Sequence, residues 1–193
     1  MAEPTKKIIV ITAPSGAGKT SITKHLMNCF PQLAFSVSAT TREPRVNETD
    51  GKDYYFISRD EFTQHIEEDA FMEWEMVYEG IYYGTLKNEM DKIWHAGQVP
   101  VLDIDVKGAL RIKKLYPEQT ITLFIAPPSI ESLRERLINR GTDSTASIEK
   151  RILKASAELA HKDQFDRIIL NDDLGKACDE ATSIINVFLG SAS

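Results

Sequence analysis

Cysteine is almost missing. Two residues, Cys29 and Cys178, in a chain of 193 exclude a disulfide framework and fit a reducing compartment, so the expected location is the cytoplasm. Long apolar runs are missing as well. The opening MAEPTKK leads into an apolar run of only about five residues, IIVIT, far short of a signal-peptide core or a membrane span, and no membrane association is expected. Positive charge is in deficit. A net charge of −6 argues against a long polyanion, so no nucleic-acid partner is expected. A small phosphorylated ligand stays open, because a local cluster of arginines can hold one on an acidic protein. His25, His65, His95 and His161 show no metal-ligand spacing, and there are no repeats or low-complexity tracts. What remains is ordinary for a folded chain: 42% hydrophobic and 27% charged residues, enough for one domain with a real core.

Four β-branched or apolar runs read as buried strands: Ile8–Thr12, Val99–Ile104, Ile121–Ala126 and Arg167–Leu170. Helical periodicity covers Lys19–Phe30, Val106–Leu115, Ser129–Asn139, Thr145–His161 and Leu174–Leu189. Ile22, Leu26 and Cys29 fall on one face of the first helix, so Cys29 is expected to pack. Strand–helix alternation implies an α/β fold, a central parallel sheet flanked by helices. Between Ser38 and Thr85 the texture changes to short aromatic strands (YYFI, FMEWEMVY, IYYG) around one helix, Asp60–Glu68. This reads as an inserted mixed or antiparallel region. Arg140–Ser147, rich in Gly, Thr and Ser, breaks two helices and is expected to make residues 129–162 a helical lid. The core then comprises 1–37, 86–128 and 163–193, within a single domain.

Between the first strand and first helix lies Ala13-Pro14-Ser15-Gly16-Ala17-Gly18-Lys19-Thr20-Ser21. Glycines in a strand–turn–helix context let backbone N–H groups point at phosphate oxygens, with the helix N-terminus adding its positive dipole end. Lys19 is placed to reach the β- and γ-phosphates of a nucleotide, and the Thr20 hydroxyl to ligate Mg²⁺. Ala13 stands where the strict pattern has glycine, and slight backbone strain is expected there.

The segment TTREPRVNETDGKDYYF, Thr40–Phe56, raises a second anion site. Arg42 and Arg45 straddle Pro44, where the chain cannot be helical, so their guanidinium groups can converge on one phosphate with paired hydrogen bonds. Gly51 allows the chain to turn back, Tyr54 adds a phenol, and Tyr82-Tyr83-Gly84-Thr85 offers another phenol and a hydroxyl. Asp103 and Asp105 end the strand VPVLDID, at the edge where open α/β sheets bind ligands. One of them can hold a water of a metal shell, and Asp105 can equally serve as a helix N-cap. Arg136 and Arg140 are four apart and share a helix face. Arg151 follows on the next helix.

Thr40-Thr41-Arg42-x-x-Arg45-x-x-Glu48-x-x-Gly51-x-x-Tyr54-x-Phe56-Ile57 resembles the signature of guanylate kinases at every specified position. The similarity runs on through EWEMVYEGIYYGT, VLDIDVKG, RGTDS and NDD. It implies a P-loop kinase that catalyses ATP + GMP ⇌ ADP + GDP with Mg²⁺, with residues 38–85 as the GMP-binding region and dGMP as a weaker acceptor. By that similarity Arg42, Arg45, Tyr54 and Tyr83 hold the GMP phosphate. Glu73 reads guanine, with Ser38, Thr85 and Asp105 beside it, and Glu75 competes for the role. Asn171 contacts adenine, and Lys19, Arg42, Arg136, Arg140 and Arg151 act on the transferring group. Asp103 touches the metal through water. Scaffold modules of guanylate-kinase type bind peptides in that cleft but lose parts of the phosphate loop and lid. Here Lys19, Thr20 and the lid arginines are all present. The partners implied are the nucleotides alone, with monomer and homodimer both open.

Overall fold

A parallel sheet of five strands in the order β2-β7-β1-β8-β9 forms the centre of the computed structural model, which describes residues 6–139 and 145–190. The strands are β1 (Ile8–Thr12), β2 (Leu33–Phe35), β7 (Val99–Asp103), β8 (Thr120–Ala126) and β9 (Arg167–Leu170). Alternate residues of β1 serve opposite faces, as strand geometry requires. Ile9 and Ile11 pack with Ile22 and Leu26 of α1 (Lys19–Cys29) and with Ala177, Ala181 and Ile185 of α7 (Leu174–Leu189). Ile8 and Val10 pack with Met90 of α3 (Lys87–His95) and with Val106, Ala109 and Ile112 of α4 (Val106–Leu115). Both faces of β1 are therefore covered, which is why it is almost wholly apolar. At the sheet edge, β9 buries Ile169 alone, which corrects the expectation of a buried strand there. Each fully buried isoleucine or leucine contributes roughly 1.5–3 kcal/mol relative to exposure.

Among the elements that escaped the sequence pattern are β2, only three residues long, and α3, which buries only Met90 and Ile93. Cys29 corrects another expectation. It lies exposed at the last position of α1, and Thr23 joins Ile22 and Leu26 as the buried set.

The second sheet runs β4-β3-β6-β5 and falls within residues 38–86. It comprises β3 (Ala39–Thr40), β4 (Tyr55–Phe56), β5 (Phe71–Tyr78) and β6 (Ile81–Leu86). β3 pairs with β4 in parallel and with β6 antiparallel, so the sheet is mixed. Its outer face stacks Phe71 on Phe62 of α2 (Arg59–Glu67), with Trp74 and Tyr82 alongside. A register shift between Phe71 and Glu73 sends Phe71 into that aromatic cluster and leaves Glu73 on the other face, opposite Thr85.

The helices α5 (Ile130–Asn139) and α6 (Thr145–Leu159) pair through Leu133, Leu137, Ile148, Ile152 and Ala155. This small core includes Ala17, so the hairpin is rooted on the loop that follows β1. Arg140 lies outside the described residues, and among the described residues no helix is long and apolar enough to cross a membrane.

Candidate active site

Parallel pairing of β1 with β7 sets Asp103 opposite Ile11, at the strand ends where the glycine-rich loop begins. Gly16 and Gly18 there take φ of 95° and 96°, a left-handed conformation that costs any other L-residue. Ala13 does not share it, since among the described residues Asp69 is the one non-glycine with positive φ. The strain expected at Ala13 is absent for that reason. No side-chain oxygen caps α1 and no acidic residue sits in its first turn, so its N-terminal dipole faces the cavity unneutralised.

That cavity, about 370 Å³, is lined by Ala13, Pro14, Ser15, Gly16, Gly18, Lys19, Thr20 and Ser21 on one side. Ala17 faces away and is fully buried. The Lys19 ammonium is ion-paired with Asp103. Burial works to lower its pKa, but the adjacent carboxylate prevails and holds it raised. Lys19 is therefore a fixed cation.

The far side of the cavity carries Ser38, Arg45, Tyr54, Glu73, Tyr83 and Asp105. The Arg42 guanidinium sits behind Tyr83, whose oxygen accepts from Nε at 3.0 Å. Glu48 takes two further bonds from Arg42, both 2.6 Å, in a fork-to-fork arrangement, and the Glu43 carbonyl takes another at 2.9 Å. Of five guanidinium N–H groups one is left over, on Nη2. Glu48 also accepts from the Arg45 backbone N–H at 2.8 Å. The hydrogen bonds from Arg42 drive its carboxyl down to about 2. Glu48 is thus the hub of the arginine segment, a role the sequence reading did not give it although it stands six and three residues from the two arginines. Arg45 borders the cavity with its side chain 71% exposed. Burial, with Asp103 next, raises the Tyr54 phenol and keeps it a donor.

Glu73 is 4% exposed, and the Thr85 hydroxyl donates to its Oε1 at 2.6 Å. Burial foremost, opposed by that bond and aided by Asp105 and Glu75, pushes its carboxyl up to about 7. Glu75, two residues on, also lines the cavity but is engaged by Arg111 at 3.5 Å and Lys107 at 4.0 Å. Among the described residues no ion pair engages Glu73, although Arg111 acts on it from a distance, and a buried carboxylate so placed is expensive. Asp105 caps α4, accepting from the Gly108 N–H at 2.8 Å, and still lines the cavity.

Three further predicted residues lie around the loop. The Asn171 side chain is 4% exposed and donates to the Ala17 carbonyl at 2.7 Å, beneath the loop. The Asn171 backbone carbonyl accepts from Arg136 at 2.8 Å. Asn171 and Arg136 border a second cavity of about 430 Å³, reached from the other side of Gly16 and Gly18. Arg151 faces the first cavity and donates to Ser15 at 3.0 Å. Lys154 and Glu158 line it too, and the sequence reading missed both. Their spacing from Arg151, three and seven residues along α6, was the available signal. Burial foremost raises the Glu158 carboxyl.

The glycine-rich loop, Tyr54, Tyr83 and the buried Glu73 thus line one cavity. Comparison with known proteins agrees. The guanylate kinase family model matches residues 5–187. The guanylate kinase of Bacteroides fragilis is 50% identical over 184 residues, covering 95% of this chain and 90% of its own length. That of Salinibacter ruber is 44% identical over 188 residues, covering 97% and 100%. Among solved structures, the guanylate kinase from Anaplasma phagocytophilum superposes with a TM-score of 0.78 at 29% identity, over 97% of this chain and 88% of that one. With the family model spanning nearly all its length and relatives alike from end to end, this chain belongs to the guanylate kinase family.

Proposed function

We propose that this chain transfers the γ-phosphoryl group of ATP to GMP, and to dGMP less well, by direct in-line displacement without a covalent intermediate. The observation that carries it is Glu73: a buried carboxylate, in no ion pair among the described residues, in a cavity that a phosphate loop also lines. Guanine presents N1–H and the 2-amino group side by side, and one ionised carboxylate accepts both. Adenine presents a lone pair at N1, which would face lone pairs and leave a buried acceptor unpaired.

In this assignment Arg42, Arg45, Tyr54 and Tyr83 hold the GMP phosphate, with Ser38, Thr85 and Asp105 completing the guanine end. The loop amides of Ala13–Ser21 and the Lys19 ammonium hold the ATP phosphates. Asn171 serves ATP by supporting Ala17, and Arg136 borders the adenine side. Arg151, with Arg140, neutralises charge on the transferring group, and the lid, residues 129–162, excludes water. The work is positioning and charge neutralisation rather than base catalysis.

Mg²⁺ fits this site. Among the described residues no three carboxylate, imidazole or thiol groups converge, and an ion held mainly by water and phosphate oxygens needs no such cluster. Thr20 and Asp103, both on the cavity wall, are the oxygen donors that would hold it, Asp103 through water. Bound there, the ion would offset charge on the β- and γ-phosphates. The reaction belongs to purine nucleotide metabolism, in the cytoplasm.

A coupled assay for ADP and GDP tests the proposal. Wild type should form both from ATP plus GMP. Lys19→Ala should form neither while melting within a few degrees of wild type. No ADP from the wild type would refute the assignment, and a collapse of the Lys19→Ala fold would make that lysine structural.

A further inference from the structure

Gly108 stands in the first turn of α4, where alanine would be the better helix former. Its backbone is not left-handed, as its absence from the positive-φ glycines shows, so conformation does not call for glycine there. Space does. A Cβ at this position would lie 2.5 Å from Glu73 Oε2 and 3.1 Å from its Cδ, with Asp105 Oδ1 at 3.3 Å. The first distance is shorter than real Cβ atoms tolerate. The group in the way is the end of a side chain rather than backbone, so the carboxylate would be displaced and the helix would stand. Glu73 has little room to yield, because Oε1 is already tied to the Thr85 hydroxyl. The same glycine donates its N–H to Asp105. One residue therefore sits between both carboxyl groups at the guanine end, anchoring one and leaving room for the other.

We propose that Gly108 is a specificity-positioning residue: its missing side chain sets how far the Glu73 carboxylate retracts, and so whether both oxygens meet the guanine edge. This rests on Glu73 reading guanine. Gly108→Ala should fold and melt no lower than wild type. Its KM for GMP should rise about tenfold or more, with KM for ATP within about twofold, since a displacement near 1 Å is felt strongly in a buried polar pair. Its preference for GMP over IMP, which lacks the 2-amino group, should shrink by a similar factor. Adding Glu73→Asp should restore part of that preference relative to Gly108→Ala alone, because a shorter acid gives the methyl room.

An unchanged GMP-to-IMP ratio, equal rises in KM for both nucleotides, or a variant that fails to fold would each overturn the proposal. Glu73→Gln measured in parallel separates the two levels. If it leaves the ratio intact, the guanine assignment itself is wrong. If it collapses the ratio while Gly108→Ala does not, only the role of Gly108 falls.

Discussion

Glu73 should make GMP binding and stability respond to pH in opposite senses. Its carboxyl, pushed up from the ordinary 4.5 to about 7, is about nine-tenths ionised at pH 8 and about one-tenth at pH 6. Guanine needs the ionised form, so Kd for GMP should weaken about tenfold between pH 8 and pH 6. The GMP phosphate titrates near pH 6 as well. Dividing wild-type values by those of Glu73→Gln removes that contribution, since both proteins meet the same ligand.

Stability without ligand runs the other way. The folded site holds a proton that the unfolded chain has released, so this group's stabilising contribution is full below pH 4.5 and lost as pH rises through 7. The loss amounts to roughly 3 kcal/mol. At pH 8, Glu73→Gln removes that cost, and at about 2–4 °C per kcal/mol the variant should melt some 6–12 °C above wild type. At pH 5 the two should nearly coincide. Calorimetric titration with GMP and thermal melts at the stated pH values provide the readouts. A variant that melts no higher at pH 8, or a corrected GMP affinity flat across pH 6–8, would refute the reasoning.

Two other substitutions probe the phosphate ends. Arg42→Lys replaces a fork held by Glu48, Glu43 and Tyr83 with a point charge, and kcat/KM for GMP should fall by about a hundredfold. Steady-state rates near wild type would show that Arg42 does not meet the phosphate. Asn171→Ala leaves the buried Ala17 carbonyl without its donor, which should cost about 1–3 kcal/mol in chemical denaturation. KM for ATP should rise in that variant with KM for GMP little changed, and equal changes would detach Asn171 from the donor loop.

The central strands and the phosphate loop were legible because their signals are local: continuous apolar runs, and glycines in a fixed strand–turn–helix spacing. What stayed hidden depends on neighbours distant in sequence. Glu73 and Glu75 alternate in phase on one strand, so strand periodicity cannot separate them. Arg111 and Lys107 of α4 do, by engaging Glu75. The Glu48 hub needs the chain to fold back over Arg42, which no spacing rule specifies. Asn171, expected at the adenine, is turned beneath the loop by a carbonyl 154 residues away in sequence. Cys29 failed for a simpler reason: at the final position of a helix, facial periodicity has no further turn to support it.

The apolar seat of α5 and α6 on Ala17 has a mechanical consequence. Gly16 is equally close, since a methyl group there would come within 3.1 Å of Leu133 and 3.2 Å of Leu137. The loop is therefore coupled to the hairpin through hydrocarbon. Ions in solution screen exposed charges but not such contacts, so the coupling between loop and hairpin will persist in brine that loosens the exposed ion pairs.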